Sequence, residues 1–266
     1  MPVELLRFEM LLPAFALVLA RVAGLVLAVP MLSSSQIPVI VKVWLVVTLS
    51  LMTFPAVAEY LPASLTPGQA VAGMVGEFVV GEIVGFGAGL VFFAAQVGGK
   101  IISHQSGMAL GTVFNPIFDA EATALDQIWF FTTLLIFLGL RGHLAVVSVL
   151  LDSFETVPPM MAKFDGTVAD FAVGILRSMF ELALRLAGPA IVALLLSSLV
   201  MGFLTRTMPQ LNILSVGFSV KIAAALSVVA LTIAYSQDVI EDALFGSLGQ
   251  IGLLFEGISE RLIHGR

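Results

Sequence analysis

The sequence contains no cysteine among its 266 residues. Disulfides, thiolate metal sites and cysteine nucleophiles are therefore excluded. Histidine is almost as scarce, and His104, His143 and His264 lie far apart without metal-ligand spacing. Charge is the third shortage. Only 11% of the residues are charged while 59% are hydrophobic, against about 25% and 45–50% in soluble domains. That is too little charge to coat a water-facing surface of this size, and the mean hydropathy of +1.08 agrees. The 12 Lys and Arg against 18 Asp and Glu leave a net charge of −6, which offers no basic surface to nucleic acid. The class that remains is an integral membrane protein.

Six apolar stretches fall at about 11–32, 39–60, 70–99, 127–151, 171–204 and 211–237. The first follows Glu4, Arg7 and Glu9 instead of a basic leader segment, and it is too long for the core of a signal peptide. It is expected to be a membrane-associated helix. Pro38, Pro62, Pro67, Pro158-Pro159 and Pro209 punctuate the chain, and the longest polar insert runs from Lys100 to Asp126. No strand alternation and no repeat period is seen. The expected fold is an all-α integral membrane protein, one domain over 1–266 whose six apolar helical stretches pair as hairpins.

These stretches are unusual for lipid-spanning helices. Arg21, Lys42, Glu77, Glu82, Arg141, Arg177, Glu181, Arg185 and Lys221 all lie within them, and a charge at mid-bilayer costs at least ~2.5–3.5 kcal/mol. Either the charges face a polar lumen or protein, or some stretches do not span. Lys and Arg are scattered singly, so the positive-inside rule gives no orientation. Glu181 and Arg185, four residues apart, are expected to pair with each other. Arg21, Lys42 and Lys221 have no such local partner and must find Glu77, Glu82, water or another chain.

Gly73, Glu77, Gly81, Gly85 and Gly89 recur every fourth residue as one helical stripe. Small residues at that spacing let membrane helices approach closely. Glu77 on this stripe reads either as an ion carrier or as an interface residue bonded to a neighbouring helix, and the four glycines favour the second. Gly85→Leu is then expected to block assembly, with Glu77→Gln milder. In the tail from about 238 to 266, Ile240, Leu244, Leu248, Ile251, Phe255, Ile258 and Leu262 form an amphipathic seam. Stripe and seam both offer contact area that a lone chain is not expected to bury.

The segment 107–126 breaks the pattern. Asn115-Pro116 favours a turn, and Phe114, Ile117 and Phe118 are bulky and apolar beside Asp119, Glu121 and Asp126. Two readings stand level: a loop whose aromatics pack on the helices, or a re-entrant loop facing a pore. In the second, Phe114, Asn115, Pro116, Ile117 and Phe118 make a movable hydrophobic seal, Gly107 and Gly111 let it swing, and the three acids keep the following segment hydrated. Catalytic motifs are absent or broken. His104-Gln105-Ser106-Gly107 lacks the leading glycine of a nucleophile turn, and Gly85-x-Gly87-x-Gly89 lies inside an apolar stretch, not after a strand. No enzyme, cofactor or metal is expected.

Arg206-Thr207-Met208-Pro209-Gln210-Leu211-Asn212, followed by Val216-Gly217-Phe218, resembles the FliR/SctT family of type III export-gate subunits. Gly142-His143-Leu144, Ser148, Asp152, Phe154 and Pro158 support the likeness, as do Gly99, Gln105 and Gly107. Lys100 and Asn115 depart from it, standing where similar proteins often carry acids. The resemblance implies one copy of this chain assembled with several copies of FliP and FliQ into a helical, pore-enclosing complex of the bacterial inner membrane. It further implies contact with the export-apparatus proteins FlhB and FlhA, unfolded flagellar proteins as cargo, and a pore plugged by the loop after the third stretch. Much of such a gate sits above the membrane plane, which would explain charge in every apolar stretch after the resemblance is granted. Val216-Gly217-Phe218 favours the flagellar branch over the injectisome branch. A reading of another class is an ion-coupled secondary transporter, motivated by Glu77, Glu82 and Lys42; a third is a non-conducting assembly scaffold.

Overall fold

The computed structural model describes residues 3–34, 36–62, 65–109, 123–162, 166–208 and 213–264. The described chain is helical, without a strand. Its helices are α1 (Val3–Ala28), α2 (Pro30–Ser33), α3 (Val39–Val57), α4 (Pro67–Ser106), α5 (Ala124–Gly139), α6 (Gly142–Thr156), α7 (Gly166–Thr207), α8 (Ile213–Ile233) and α9 (Ser236–His264). A single 3-10 turn, Ala58–Tyr60, extends α3. Their ends follow local chemistry. Pro30 sits in the first turn of α2, where its missing N–H is not needed. Gly107 ends α4 in the left-handed region at φ 85°, the usual glycine stop.

The six apolar stretches do not all become equivalent helices. Among the described residues, four helices are long and apolar enough to cross a membrane: α3 with its 3-10 turn, α4, α7 and α8. A fifth span results if α5 and α6 together make one broken span. The stretch expected over 127–151 is interrupted because Arg141 takes a left-handed conformation at φ 56° between Leu140 and Gly142. Apolar averaging passes over a two-residue stop. The first stretch contributes only the shorter apolar segment Leu12–Ala28 before Pro30. Of the spans, α4 stands apart: 72% of its most apolar window is buried within the chain, against 17% for α3 and α8. Its 40 residues correspond to about 60 Å at 1.5 Å per residue, roughly twice the hydrocarbon thickness. Most of that window is covered by the chain itself.

The chain divides into two compact units. The first comprises Met1–Leu90, Arg141–Leu176 and Leu244–Arg266; the second comprises Val91–Leu140 and Arg177–Ala243. In the first, α1 and α4 cross backbone to backbone. A Cβ on Gly24 would run into the Phe78 carbonyl, and one on Gly81 into the Arg21 carbonyl. On Gly85 it would lie 2.6 Å from both the Leu25 carbonyl oxygen and the Ala28 methyl. Gly73 meets the side chains of Leu17 and Met160, and Gly89 is buried. Helices surrounded by apolar groups gain little from burial alone, so close approach supplies the attraction. In the second unit Phe92 packs edge-on against Phe137, with ring centroids 5.3 Å apart.

Two expectations change here. The glycine stripe is occupied by α1 of the same chain. The seam of α9 is covered as well: Ile240, Leu244, Leu248, Ile251, Phe255 and Ile258 are all buried, and Gly87 of α4 abuts Ile251. The side chain of Leu262 lies outside the described residues. Long helices supply enough surface for the chain to bury these faces itself. Gly81→Ala and Gly85→Leu are therefore expected to fail in folding, before any partner is met, seen as protease sensitivity of the detergent-solubilised chain. Gly202→Ala is the control, since a Cβ there meets nothing within 4 Å. It should be neutral or stabilise α7 by up to about 1 kcal/mol.

Candidate functional site

The first constellation surrounds Arg21, which is fully buried on α1. Its Nε donates to Glu77 Oε2 at 2.7 Å, and the two side chains are an ion pair without solvent exposure. Nη1 donates to the Ser153 carbonyl at 2.8 Å and to Ser153 Oγ at 3.0 Å. Nη2 donates to the Val157 carbonyl at 2.9 Å. These carbonyls belong to the end of α6, where helix acceptors are left over and a cation is favoured by the helix dipole. The guanidinium carbon also lies 4.0 Å from the centroid of the Phe154 ring, a cation–π contact. The other Glu77 oxygen accepts the Met160 N–H at 2.9 Å. Met160 is left-handed at φ 68°, which costs a non-glycine residue about 1–2 kcal/mol and aims its N–H at the carboxylate. Every charged atom of this pair has a donor or acceptor, as burial demands.

The other charges singled out from the sequence behave differently. Lys42 Nζ donates to the Ser33 carbonyl at 2.7 Å, at the end of α2. Glu82 and Lys221 are half-buried, and neither is in an ion pair among the described residues. Glu181 and Arg185 pair at 2.6 Å, but with side chains 55% and 63% exposed in the lone chain. The pairing expected from their spacing is present, on a face of α7 that this chain leaves uncovered.

The second constellation lies in the second unit, where the insert leaves α4 and returns to α5. Residues 110–122 lie outside the described residues, and with them Phe114, Asn115, Pro116, Ile117 and Phe118. The two ends are described. Thr123 Oγ1 donates to Asp126 Oδ1 at 2.6 Å and Thr123 N–H to Asp126 Oδ2 at 3.0 Å. Ser103 Oγ, on the last turns of α4, is hydrogen-bonded to Thr123 Oγ1 and lies 3.4 Å from Asp126 Oδ1. Asp126 is only 2% exposed, so it does not serve the hydration expected of it. Gly107 is also less free than expected, since a Cβ there would lie 2.5 Å from the Phe218 ring of α8.

Ser153, Phe154 and Val157 were not foreseen as partners of Arg21, nor Met160 as a partner of Glu77. No local signal announces them, since Ser153 is 132 positions from Arg21. The Asp126 arrangement had a signal: Thr123-x-x-Asp126 ahead of an apolar run is a capping-box pattern. Among the described residues no cluster of His, Asp and Glu could hold a metal ion.

The sequence pattern of the bacterial export proteins, family 1, matches residues 12–246. A flagellar biosynthetic protein FliR of Escherichia coli is 32% identical over 215 residues, 80% of this chain and 81% of the relative. The FliR of Pectobacterium carotovorum is 30% identical over 217 residues, 79% and 80% of the two chains. The Yop proteins translocation protein T of Yersinia pestis is 26% identical over 218 residues, 79% and 82% of the two.

The Arg21 network predicts a mutational pattern that revises the mild effect expected for Glu77→Gln. Removing either charge leaves the other buried without compensation, so Glu77→Gln and Arg21→Met should each cost about 3–5 kcal/mol. The double variant Arg21→Met with Glu77→Gln should be less damaging than either single change. Thermal unfolding of the solubilised protein measures this, and additive losses would refute the coupling.

Proposed function

Since the chain belongs to the bacterial export proteins of family 1, we propose that it is a subunit of the type III protein export gate of the bacterial flagellum. It forms part of the channel through which unfolded flagellar proteins cross the inner membrane. The family match over most of the chain carries this reading, and the stronger identity to flagellar relatives favours that branch over the injectisome. The partners proposed are FliP and FliQ in a helical hetero-oligomer whose helices pair as hairpins, with FlhB and FlhA nearby. Exposed apolar surface supports an assembly: Trp44 of α3, Phe203 of α7 and Leu231 of α8 are 64%, 72% and 68% exposed in the lone chain. The outward Glu181–Arg185 pair lies on the same helix as Phe203 and suits a protein or lumenal surrounding better than lipid.

Phe114, Asn115, Pro116, Ile117 and Phe118 are proposed as the movable seal of the export path. Bulky apolar side chains exclude water at a constriction, and Pro116 disfavours a helix there. The hydrogen-bonded ends at Ser103, Thr123 and Asp126 support a loop that departs from a fixed point. The transporter alternative loses two of its three motivating groups. Glu77 is committed to Arg21 and Met160, and Lys42 to the Ser33 carbonyl.

Co-expression with FliP and FliQ should recover a stable complex, whereas the chain alone should purify poorly. A well-behaved monomer that transports a small solute would overturn the export reading. Deleting residues 114–118 should raise ion leakage through assembled complexes in bilayer recordings without loss of partners, and Phe114→Ala with Phe118→Ala should do so partially. Unchanged conductance in the deletion returns the seal to another protein.

A further inference from the structure

We propose that Ser103, Thr123 and Asp126 form a stationary latch that keeps the two ends of the 110–122 connection together while export proceeds, with Asp126 as its positioning residue. This rests on the reading of residues 114–118 as a seal. The latch is short in sequence on one side and distant on the other. Thr123 and Asp126 lie within one turn at the start of α5, whereas Ser103 is 20 residues before Thr123 on α4. The carboxylate is the hub. One oxygen receives the Thr123 hydroxyl, with the Ser103 hydroxyl also near, and the other receives the Thr123 N–H. The Thr123 hydroxyl gives its one hydrogen to Asp126, so the Ser103 hydroxyl donates to Thr123 Oγ1, and the carboxylate holds Thr123 in place to receive it across the two ends.

Three further contacts make separation of the ends costly. A Cβ on Gly99 would lie 2.7 Å from Asp126 Cα and 3.0 Å from its backbone nitrogen, so α4 and α5 touch by their backbones beneath the latch. The Ala109 N–H returns to the Ser103 carbonyl at 3.3 Å, which ties the departing strand of chain to the same residue. Phe218 covers Gly107, whose φ of 85° only glycine adopts without strain. Parting the ends would break the Ser103–Thr123 hydrogen bond beside a buried carboxylate and open a glycine contact together.

Because the chain has no cysteine, the latch is testable by Ser103→Cys with Thr123→Cys in complexes assembled with FliP and FliQ. The oxidised pair should export flagellar protein at the rate of the reduced pair, with leakage no higher than in the unaltered complex. Export blocked on oxidation and restored by reductant would show that the ends must part, and would overturn the proposal while leaving the seal reading intact. Asp126→Ala should raise leakage about tenfold with partners retained, the factor equivalent to ~1.4 kcal/mol. Oxidising the cysteine pair in that background should bring leakage down reversibly, a redox response that loss of packing alone does not give. Unchanged leakage in Asp126→Ala, beside a leaky 114–118 deletion, overturns the latch alone. If the deletion does not leak, the seal reading fails and the latch with it. Should Asp126→Ala not assemble, Ser103→Ala with Thr123→Val takes its place with the same expected leak.

Discussion

The first unit depends on a charged pair that water does not reach. Taking Arg21 and Glu77 out of water costs several kcal/mol for each ion, and their mutual attraction repays this only if the remaining donors and acceptors are also met. Here they are met by the end of α6 and by the Met160 N–H. The guanidinium is held between three segments that are far apart in sequence, and its fork matches acceptors that a lysine could not serve together. One turn along α4 from Glu77, Gly81 lies against the Arg21 carbonyl. The same residue thus fixes the crossing through its backbone and the pairing through its side chain. Neither contact tolerates a shift of the helices without cost to the other.

The second unit solves its buried charge differently. Asp126 has hydroxyls and an N–H around it in place of a cation, and among the described residues no ion pair reaches it. The contrast follows from geometry. Asp126 sits in the first turn of α5, where unpaired N–H groups and the positive end of the helix already favour a carboxylate. Glu77 lies in mid-helix, where every backbone N–H is used, so it needs Arg21. The exposed Glu181–Arg185 pair belongs to neither class and contributes at most about 1 kcal/mol to stability in water.

Two of the charges in the apolar stretches, Arg21 and Glu77, are explained by what surrounds α4. Most of its apolar window is covered by the chain itself, and this pair lies there without solvent exposure. On α3, α7 and α8 the apolar windows are largely uncovered, and these helices supply the surface for lipid or for partner subunits. A membrane-embedded export component needs both kinds of helix. The first gives a folded subunit, the second a place in an assembly.

Local spacing was sufficient to determine the class of protein, the helical character, the close-packing role of Gly81 and Gly85 and the Glu181–Arg185 pair. Each is set within one or two turns of chain, where covalent geometry leaves few choices. The family motif at 206–218 was legible for the same reason. The partners of Arg21, the burial of Asp126, the break at Arg141 and the covering of the α9 seam by its own chain were decided by tertiary structure. A helix of given sequence presents the same face whatever meets it. Which face meets which depends on long-range packing, and that packing gave Glu77 its buried partner Arg21 from 56 positions away.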